Sequence, residues 1–364
     1  MSPSDATAQL SDRLWQAVAD GDEHRAAGLV HQAAADGVDE ERLLLDVIAP
    51  VQEKVGLEWA ADRITVAQEH AATAINERIV ASLAHRRPTR EPRTPRKGRV
   101  TVSCIDGEWH AFPARLVTEV LVLRGWQVDY LGAQTPTPHL VAHLHRTDPD
   151  AVLLSGSIPT HLPAAHAAIT ACQAIGVPVL AGGRAFGRDG RHARALGADQ
   201  WAADARGAAA VLQARLERPG PATIRQVADD LPHLADQEYT MVVMSRPRLV
   251  KQTLADLESR FPAMGAYTDA QRERTAEDIA HIIDFLATAL YVDDPDVFTE
   301  FLSWTADVLE ARHVPAHSVV TGLEALADQL REFPRTVDLL RSGRAALCGD
   351  PTRPVPDPDP DIHV

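Results

Sequence analysis

The sequence predicts an α/β protein flanked by all-α regions: a helical bundle, then a doubly wound parallel sheet, then a second helical region. Three observations predict it. Apolar residues recur at helical spacing through 1–87, five short β-rich runs alternate with helices across 100–218, and helical spacing returns over 222–347.

In the first region Leu10, Leu14, Trp15 and Val18 fall on one helical face, and Gly21-Asp22 breaks the run. A second helix covers Glu23 to Ala35, with Asp39 after the Gly37 turn a plausible N-cap for a third helix running from about Glu40 toward Trp59. A fourth runs from about Val66 to His85, and four such helices with short connections read as an antiparallel bundle. Residues 88–99 are rich in proline and charge and read as a linker.

The β-rich runs are 100–104, 127–131, 151–154, 177–180 and a short one near 199–202, each followed by a helical pattern. Five βα units give a parallel sheet, which binds ligands outside the carboxyl ends of its strands. Beyond Pro219-Gly220-Pro221, helices are expected over 248–260, 269–291, 295–313, 316–333 and 335–347, and the Pro- and Asp-rich tail 348–364 is expected to be disordered.

Composition excludes several classes. The formal net charge of −15 argues against general binding to nucleic-acid phosphates. Three scattered cysteines fit neither a metal site nor a disulfide framework, and point to a reducing compartment. The N-terminal residues lack a signal-peptide pattern, and no apolar run reaches bilayer length, so a cytoplasmic protein with no membrane partner is expected.

The chemistry is expected at strand ends. The loop after the first strand reads Ile105-Asp106-Gly107-Glu108-Trp109-His110-Ala111-Phe112-Pro113. A neutral imidazole there can ligate a metal in the crevice, with a carboxylate holding the ring from behind. The third strand ends Ser155-Gly156-Ser157, offering hydroxyls and a glycine for close approach, and the fourth ends at Gly182-Gly183. In the bundle, Trp59 precedes Glu69 and His70 by ten and eleven residues, with Val66 between. By themselves, Trp59 fits a bundle core and Glu69 and His70 a solvated face.

These motifs together resemble the Rossmann-like cobalamin-binding domains of the methionine synthase type, whose signature is Asp-x-His-x-x-Gly, a serine strand and then Gly-Gly. The resemblance implies that His110 ligates cobalt from below in place of the cofactor's own base. It also implies that Ser155, Ser157, Gly182 and Gly183 line a tunnel for the displaced nucleotide tail. Glu108 stands where the family has aspartate, and Pro113 where it has the last glycine. The upstream bundle resembles the cap of light-sensing adenosylcobalamin photoreceptors. There the tryptophan shields the adenosyl group, the glutamate contacts it, and the histidine takes the upper cobalt position after light; by resemblance Trp59, Glu69 and His70 do so here, making His70 a second cobalt ligand.

The whole order resembles photocobilins, which add a C-terminal globin-like domain binding biliverdin. Arg272, Arg274 and His281 are then candidates for the bilin propionates and pyrrole nitrogens, with Arg246, Arg248 and Tyr267 behind them. Read from its residues alone, this region is equally a helical interaction or dimerisation domain. Cys348, beside the tail, reads as a free surface thiol. The resemblance implies a light sensor that is not an enzyme, using adenosylcobalamin and biliverdin and signalling through a change in homo-oligomeric state. The alternatives are a corrinoid methyl carrier for a methyltransferase, or a cobalamin-binding protein with a helical partner-binding domain.

Overall fold

A computed structural model describes residues 3–87, 97–214, 216–219, 231–261, 264–265, 267–314 and 317–348. The chain forms two compact units, Met1–Asp230 and Leu231–Val364. Of the linker expected at 88–99, residues 88–96 lie outside the described residues and Arg99 already opens a strand; of the disorder expected at 348–364, residues 349–364 lie outside them and Cys348 still ends a helix.

Unit 1 begins with the bundle. Helices α1 (Pro3–Ala19) and α2 (Glu23–Ala35) are joined at Asp22, whose carboxylate caps the Arg25 N–H. The third helix, α3, spans 40–60 but is not uniform: Leu43–Ile48 is a π-helical stretch, and the Ala49 N–H bonds the Leu44 carbonyl five residues back. The cause is local, since Pro50 has no N–H to continue the α-helical ladder, and a wider turn just before it takes up the mismatch. Helix α4 (Val66–Arg86) starts on a capping box in which Thr65 and Gln68 bond each other's backbone.

The sheet strands are β1 (Arg99–Cys104), β2 (Gln127–Gly132), β3 (Ala151–Ser155), β4 (Val179–Gly182) and β5 (Gln200–Ala202). They are all parallel, in the order β2-β1-β3-β4-β5. The connecting helices are α5 (Phe112–Leu123), α6 (Thr137–Thr147), α7 (Leu162–Ala174), α8 (Arg191–Ala195) and α9 (Ala205–Gln213). The chain turns from one direction along the sheet to the other between β1 and β3, so the crevice for a ligand opens where the loops after these two strands diverge.

Bundle and sheet share a core. Phe112, Leu116, Val120 and Ala205, from α5 and α9, belong to the same buried cluster as Leu14, Leu44, Ile48 and Ile79 of the bundle. Ion pairs reinforce the joint: Arg87 spans Glu40 of α3 and the buried Glu119 of α5, while Arg124 and Arg206 both reach Glu41.

Unit 2 is all-helical: α10 (Glu238–Arg260), α11 (Asp269–Val292), α12 (Pro295–Ala311), α13 (His317–Gln329) and α14 (Pro334–Cys348). Helix α10 starts ten residues before the Arg248 start expected from sequence and carries Pro247 in its interior. The buried Glu238 explains part of this. It accepts bonds from the N–H groups of Arg335 and Thr336 and the Thr336 hydroxyl, so α10 caps the start of α14. Arg335 in turn reaches Asp236, Asp293 and the Leu290 carbonyl.

Candidate functional site

The strand register puts three loops side by side. Cys104 pairs with Ser155, and Ser155 with Gly182, so the loops after β1, β3 and β4 leave the sheet at one level. The Ile105 N–H bonds the Ser155 carbonyl, and the Gly156 N–H bonds the Gly182 carbonyl, which continues the sheet one step into the loops.

Glu108 is the keystone of this edge. It is fully buried (0% exposed) yet ionised, and both oxygens are used. Oε1 accepts from the His110 N–H at 2.8 Å and lies 2.6 Å from His110 Nδ1. Oε2 accepts from the N–H groups of Ser157 at 2.6 Å and Ile158 at 3.0 Å. Burial pushes this carboxyl up, but the hydrogen bonds from His110, Ser157 and Ile158 outweigh it and hold it at about 2. A single carboxylate therefore orients the imidazole and clasps the β3 loop.

The His110 pKa is raised above its ordinary value, first by the Glu108 hydrogen bond against partial desolvation. The Glu69 carboxylate of the bundle adds to the rise and Arg184 of the β4 loop opposes it, so both sit within electrostatic reach of His110. With Nδ1 engaged, Nε2 is the nitrogen left to ligate a metal, and the side chain is 60% exposed. Asp106 and Gly107 form the loop's turn, Gly107 at φ +85 with the His161 ring against it. Trp109 stands 72% exposed.

Pro113, in place of the expected glycine, falls in the first turn of α5, where a missing N–H costs nothing. Ser155 ends β3, Ser157 is held through its backbone, and Gly182-Gly183 opens the β4 loop. A Cβ on Gly183, at φ +101, would lie 2.2 Å from the Gly156 carbonyl oxygen, and one on Gly156 would lie 2.4 Å from Ile105 Cδ1. Only glycines permit these two loops to touch.

On the bundle, Trp59 lies half-buried in the last turn of α3, and Val66, Glu69 and His70 lie in the first turns of α4, so all four come to one end. Glu69 Oε2 is 2.5 Å from His70 Nδ1, and Glu69 Oε1 accepts from Thr73 at 2.8 Å. His70 is 75% exposed. Leu57 and Val66 at this end are also exposed, though both are large and apolar.

The C-terminal candidates are not brought together. Arg272, Arg274 and His281 all lie on α11, but at 100° per residue Arg272 faces nearly opposite to the other two. Arg272 pairs with Glu258 of α10 at 3.5 Å, while Arg274 and His281 are exposed. Arg246 is held in a bidentate pair by Asp284, Arg248 bonds Gln252, and Tyr267 is partly exposed. The expected cation cluster is thus replaced by separate surface positions. Phe285 stacks on Phe301 with ring centroids 3.7 Å apart. Cys348 is exposed, as expected, whereas burial pushes the Cys104 and Cys172 thiols to about 12.

Sequence reasoning missed Gln52, Thr73 and Asn76, which continue the Glu69 contacts into the bundle. Their signal was a polar stripe at 69, 73 and 76, spaced i, i+4, i+7 on a helix whose other inner positions are apolar. Arg184 and His161, beside the His110 loop, were also missed.

A histidine at the switch point of a parallel sheet, backed by a buried carboxylate and within electrostatic reach of a bundle carboxylate, is the arrangement that the sequence resemblance implied for a cobalamin-binding domain. Family comparison gives the same class: two models, each described as B12 binding domain, match residues 10–84 and 98–212. The chain therefore carries cobalamin-binding domains. It is 23% identical over 152 residues to the trimethylamine corrinoid protein of Methanosarcina barkeri, covering 42% of this chain and 70% of that relative. Among solved structures it resembles the M. barkeri monomethylamine corrinoid protein, with 20% identity and a TM-score of 0.47 over 56% of this chain and 97% of that one. It also resembles the methanol:cobalamin methyltransferase complex of M. barkeri, with 20% identity and a TM-score of 0.31 over 59% of this chain and 84% of that one.

The donor set fits cobalamin. One imidazole offers Nε2, its Nδ1 is fixed, glycines bring the β3 and β4 loops into contact beside it, and the exposed Trp109, Leu57 and Val66 are apolar surfaces that a corrin's edges would cover. Among the described residues no group of three or more His, Cys, Asp and Glu is placed to hold a metal ion.

Proposed function

We propose that unit 1 holds cobalamin between cap and sheet with His110 as the lower cobalt ligand, and that it serves as a corrinoid carrier. The observation that carries the binding mode is the Glu108 clasp, which fixes His110 through Nδ1 and leaves Nε2 available. Similarity to the trimethylamine corrinoid protein supports the carrier role, and the partner we propose for it is a methyltransferase. When bound, cobalamin would supply a cobalt able to carry an alkyl group. Glu108 keeps the lower imidazole in one orientation, the three loops shape the lower surface, and the bundle restricts access from above.

One observation favours a second reading, a light sensor using adenosylcobalamin. Trp59, Glu69 and His70 share one end of the cap, and Glu69 lies within electrostatic reach of His110. An aromatic shield with a polar contact suits a large upper group such as adenosyl, and a methyl group would have no use for it. On this reading His70 approaches the upper face once that group has left. Biliverdin in unit 2, expected from the photocobilin resemblance, would need cations other than Arg272, Arg274 and His281 acting as a set.

The test is to load the protein with methyl- or adenosylcobalamin in the dark, measure both affinities, and then illuminate. A carrier is expected to bind the two forms similarly and keep its mass in light scattering. A sensor is expected to prefer the adenosyl form and change its oligomeric state with light. Failure of the His110→Ala variant to alter the spectrum of either complex would overturn the shared binding mode.

A further inference from the structure

One unbroken line of hydrogen bonds runs from the core of the cap to its exposed end. Asn76, fully buried on α4, donates through Nδ2 to Gln52 Oε1 of α3 at 2.8 Å. Gln52 Nε2 donates to Thr73 Oγ1 at 2.7 Å, and the Thr73 hydroxyl donates to Glu69 Oε1 at 2.8 Å. The other Glu69 oxygen meets His70 Nδ1 at 2.5 Å.

The direction of this line follows from its end. The Thr73 hydroxyl gives its one proton to Glu69 Oε1. The hydroxyl oxygen must then accept, which turns the Gln52 amide nitrogen toward it and the Gln52 carbonyl toward Asn76. Asn76 must donate in turn, and its own Oδ1 is left buried with no partner. Buried amide oxygens are rarely left so. Here the orientation is imposed by the carboxylate at the far end of the line.

We propose that Asn76, Gln52 and Thr73 are positioning residues for the upper face: they lock Glu69 so that it holds the neutral His70 proton on Nδ1 and leaves Nε2 bare. A solvent-exposed neutral imidazole ordinarily keeps its proton mainly on Nε2, which would block that nitrogen as a ligand. The relay is a property of the cofactor-free protein. Its use in meeting cobalt or an upper group rests on the binding mode proposed above.

The test reads the tautomer directly. Cofactor-free protein labelled at histidine, with His70 assigned by its loss in His70→Gln, is examined by ¹⁵N and ¹³C NMR under conditions where the ring is neutral. Wild type is expected to show the Nδ1–H form in excess. Thr73→Val keeps the side chain's shape and removes the hydroxyl, and should shift the ratio toward Nε2–H by about threefold or more. Thr73→Ser should restore the wild-type ratio, and Gln52→Met should shift it in the same direction by less. A purely structural role for Thr73 would not move this ratio. A folded Thr73→Val protein with the wild-type ratio overturns the relay, and if that variant does not fold, an unchanged ratio in Gln52→Met does so. The upper-face reading fails separately: a wild-type Nδ1–H preference in cofactor-free protein, together with a loaded protein whose cobalt never gains a second imidazole, removes His70 as a ligand and leaves the relay standing.

Discussion

Two histidine–carboxylate pairs, Glu108–His110 and Glu69–His70, come within electrostatic reach of each other, and they are built in opposite ways. Below, Glu108 is fully buried, uses both oxygens on four bonds and is fastened to two strand-end loops. Above, Glu69 and His70 are sequence neighbours on the surface of one helix, and His70 is three-quarters exposed. The same contact, carboxylate to Nδ1, is buried with both oxygens fully engaged in one place and exposed to solvent in the other. A ligand that must never leave is best held by a buried carboxylate with every lone pair engaged, because loosening it would strand a charge away from water. A group that has to come and go belongs on a solvated helix end.

The comparison breaks first if His110→Ala retains the cofactor. That substitution removes the lower nitrogen itself, so its loss of cobalamin affinity is expected to exceed the roughly 10–100-fold typical of removing a group behind a metal ligand, with a spectrum lacking a protein nitrogen. Equilibrium dialysis and absorption spectra check both. Glu108→Gln keeps the size and removes the charge, and it should cost about 10–100-fold in affinity.

Glu108→Gln also has a signature in pH. A carboxyl held at about 2 in the folded state, against an ordinary 4.5, contributes stability that is present above 4.5 and is lost as pH falls toward 2. The contribution is on the order of 3 kcal/mol at neutral pH. The stability gap between wild type and Glu108→Gln, measured by urea unfolding without cofactor, should therefore narrow as pH falls from about 5 to about 2. A gap that stays constant would mean the carboxylate is not ionised in the fold.

Gly183→Ala should cost about 1–3 kcal/mol, because its backbone lies at φ +101 and the added methyl meets the Gly156 carbonyl. Thermal unfolding of the cofactor-free protein measures it. The smallest effect is expected above: His70→Ala should change dark affinity for adenosylcobalamin by less than about threefold, since an exposed pair contributes little. A loss as large as that of Glu108→Gln would mean the upper pair is as fixed as the lower, and the contrast would fail.

Much of this was legible in the sequence where local rules and topology agree. Short apolar runs closed by Gly or Pro gave the strands, and a parallel sheet then demanded that its site lie at their carboxyl ends, which put His110, Ser157 and Gly183 together without any contact being visible. Helix α10 extends ten residues before the expected 248–260, through Pro247, because Glu238 at its start caps α14, a contact across 98 residues that no local pattern shows. The Asn76–Gln52 link was hidden for another reason, since polar residues on amphipathic helices read as surface and the two positions are 24 apart in sequence. The Arg272, Arg274 and His281 cluster failed on geometry that the sequence already contained, because intervals of two and nine residues place side chains on different sides of a helix.

Phe112 lies two residues beyond His110 and is 6% exposed within the core of the cap, not of the sheet. The loop bearing the lower ligand is thus moored at both ends to different bodies: Glu108 to the strand edge, Phe112 to the bundle. The imidazole therefore stands between two fixed points only four residues apart in sequence, so the packing of the bundle on α5 helps to set where it lies.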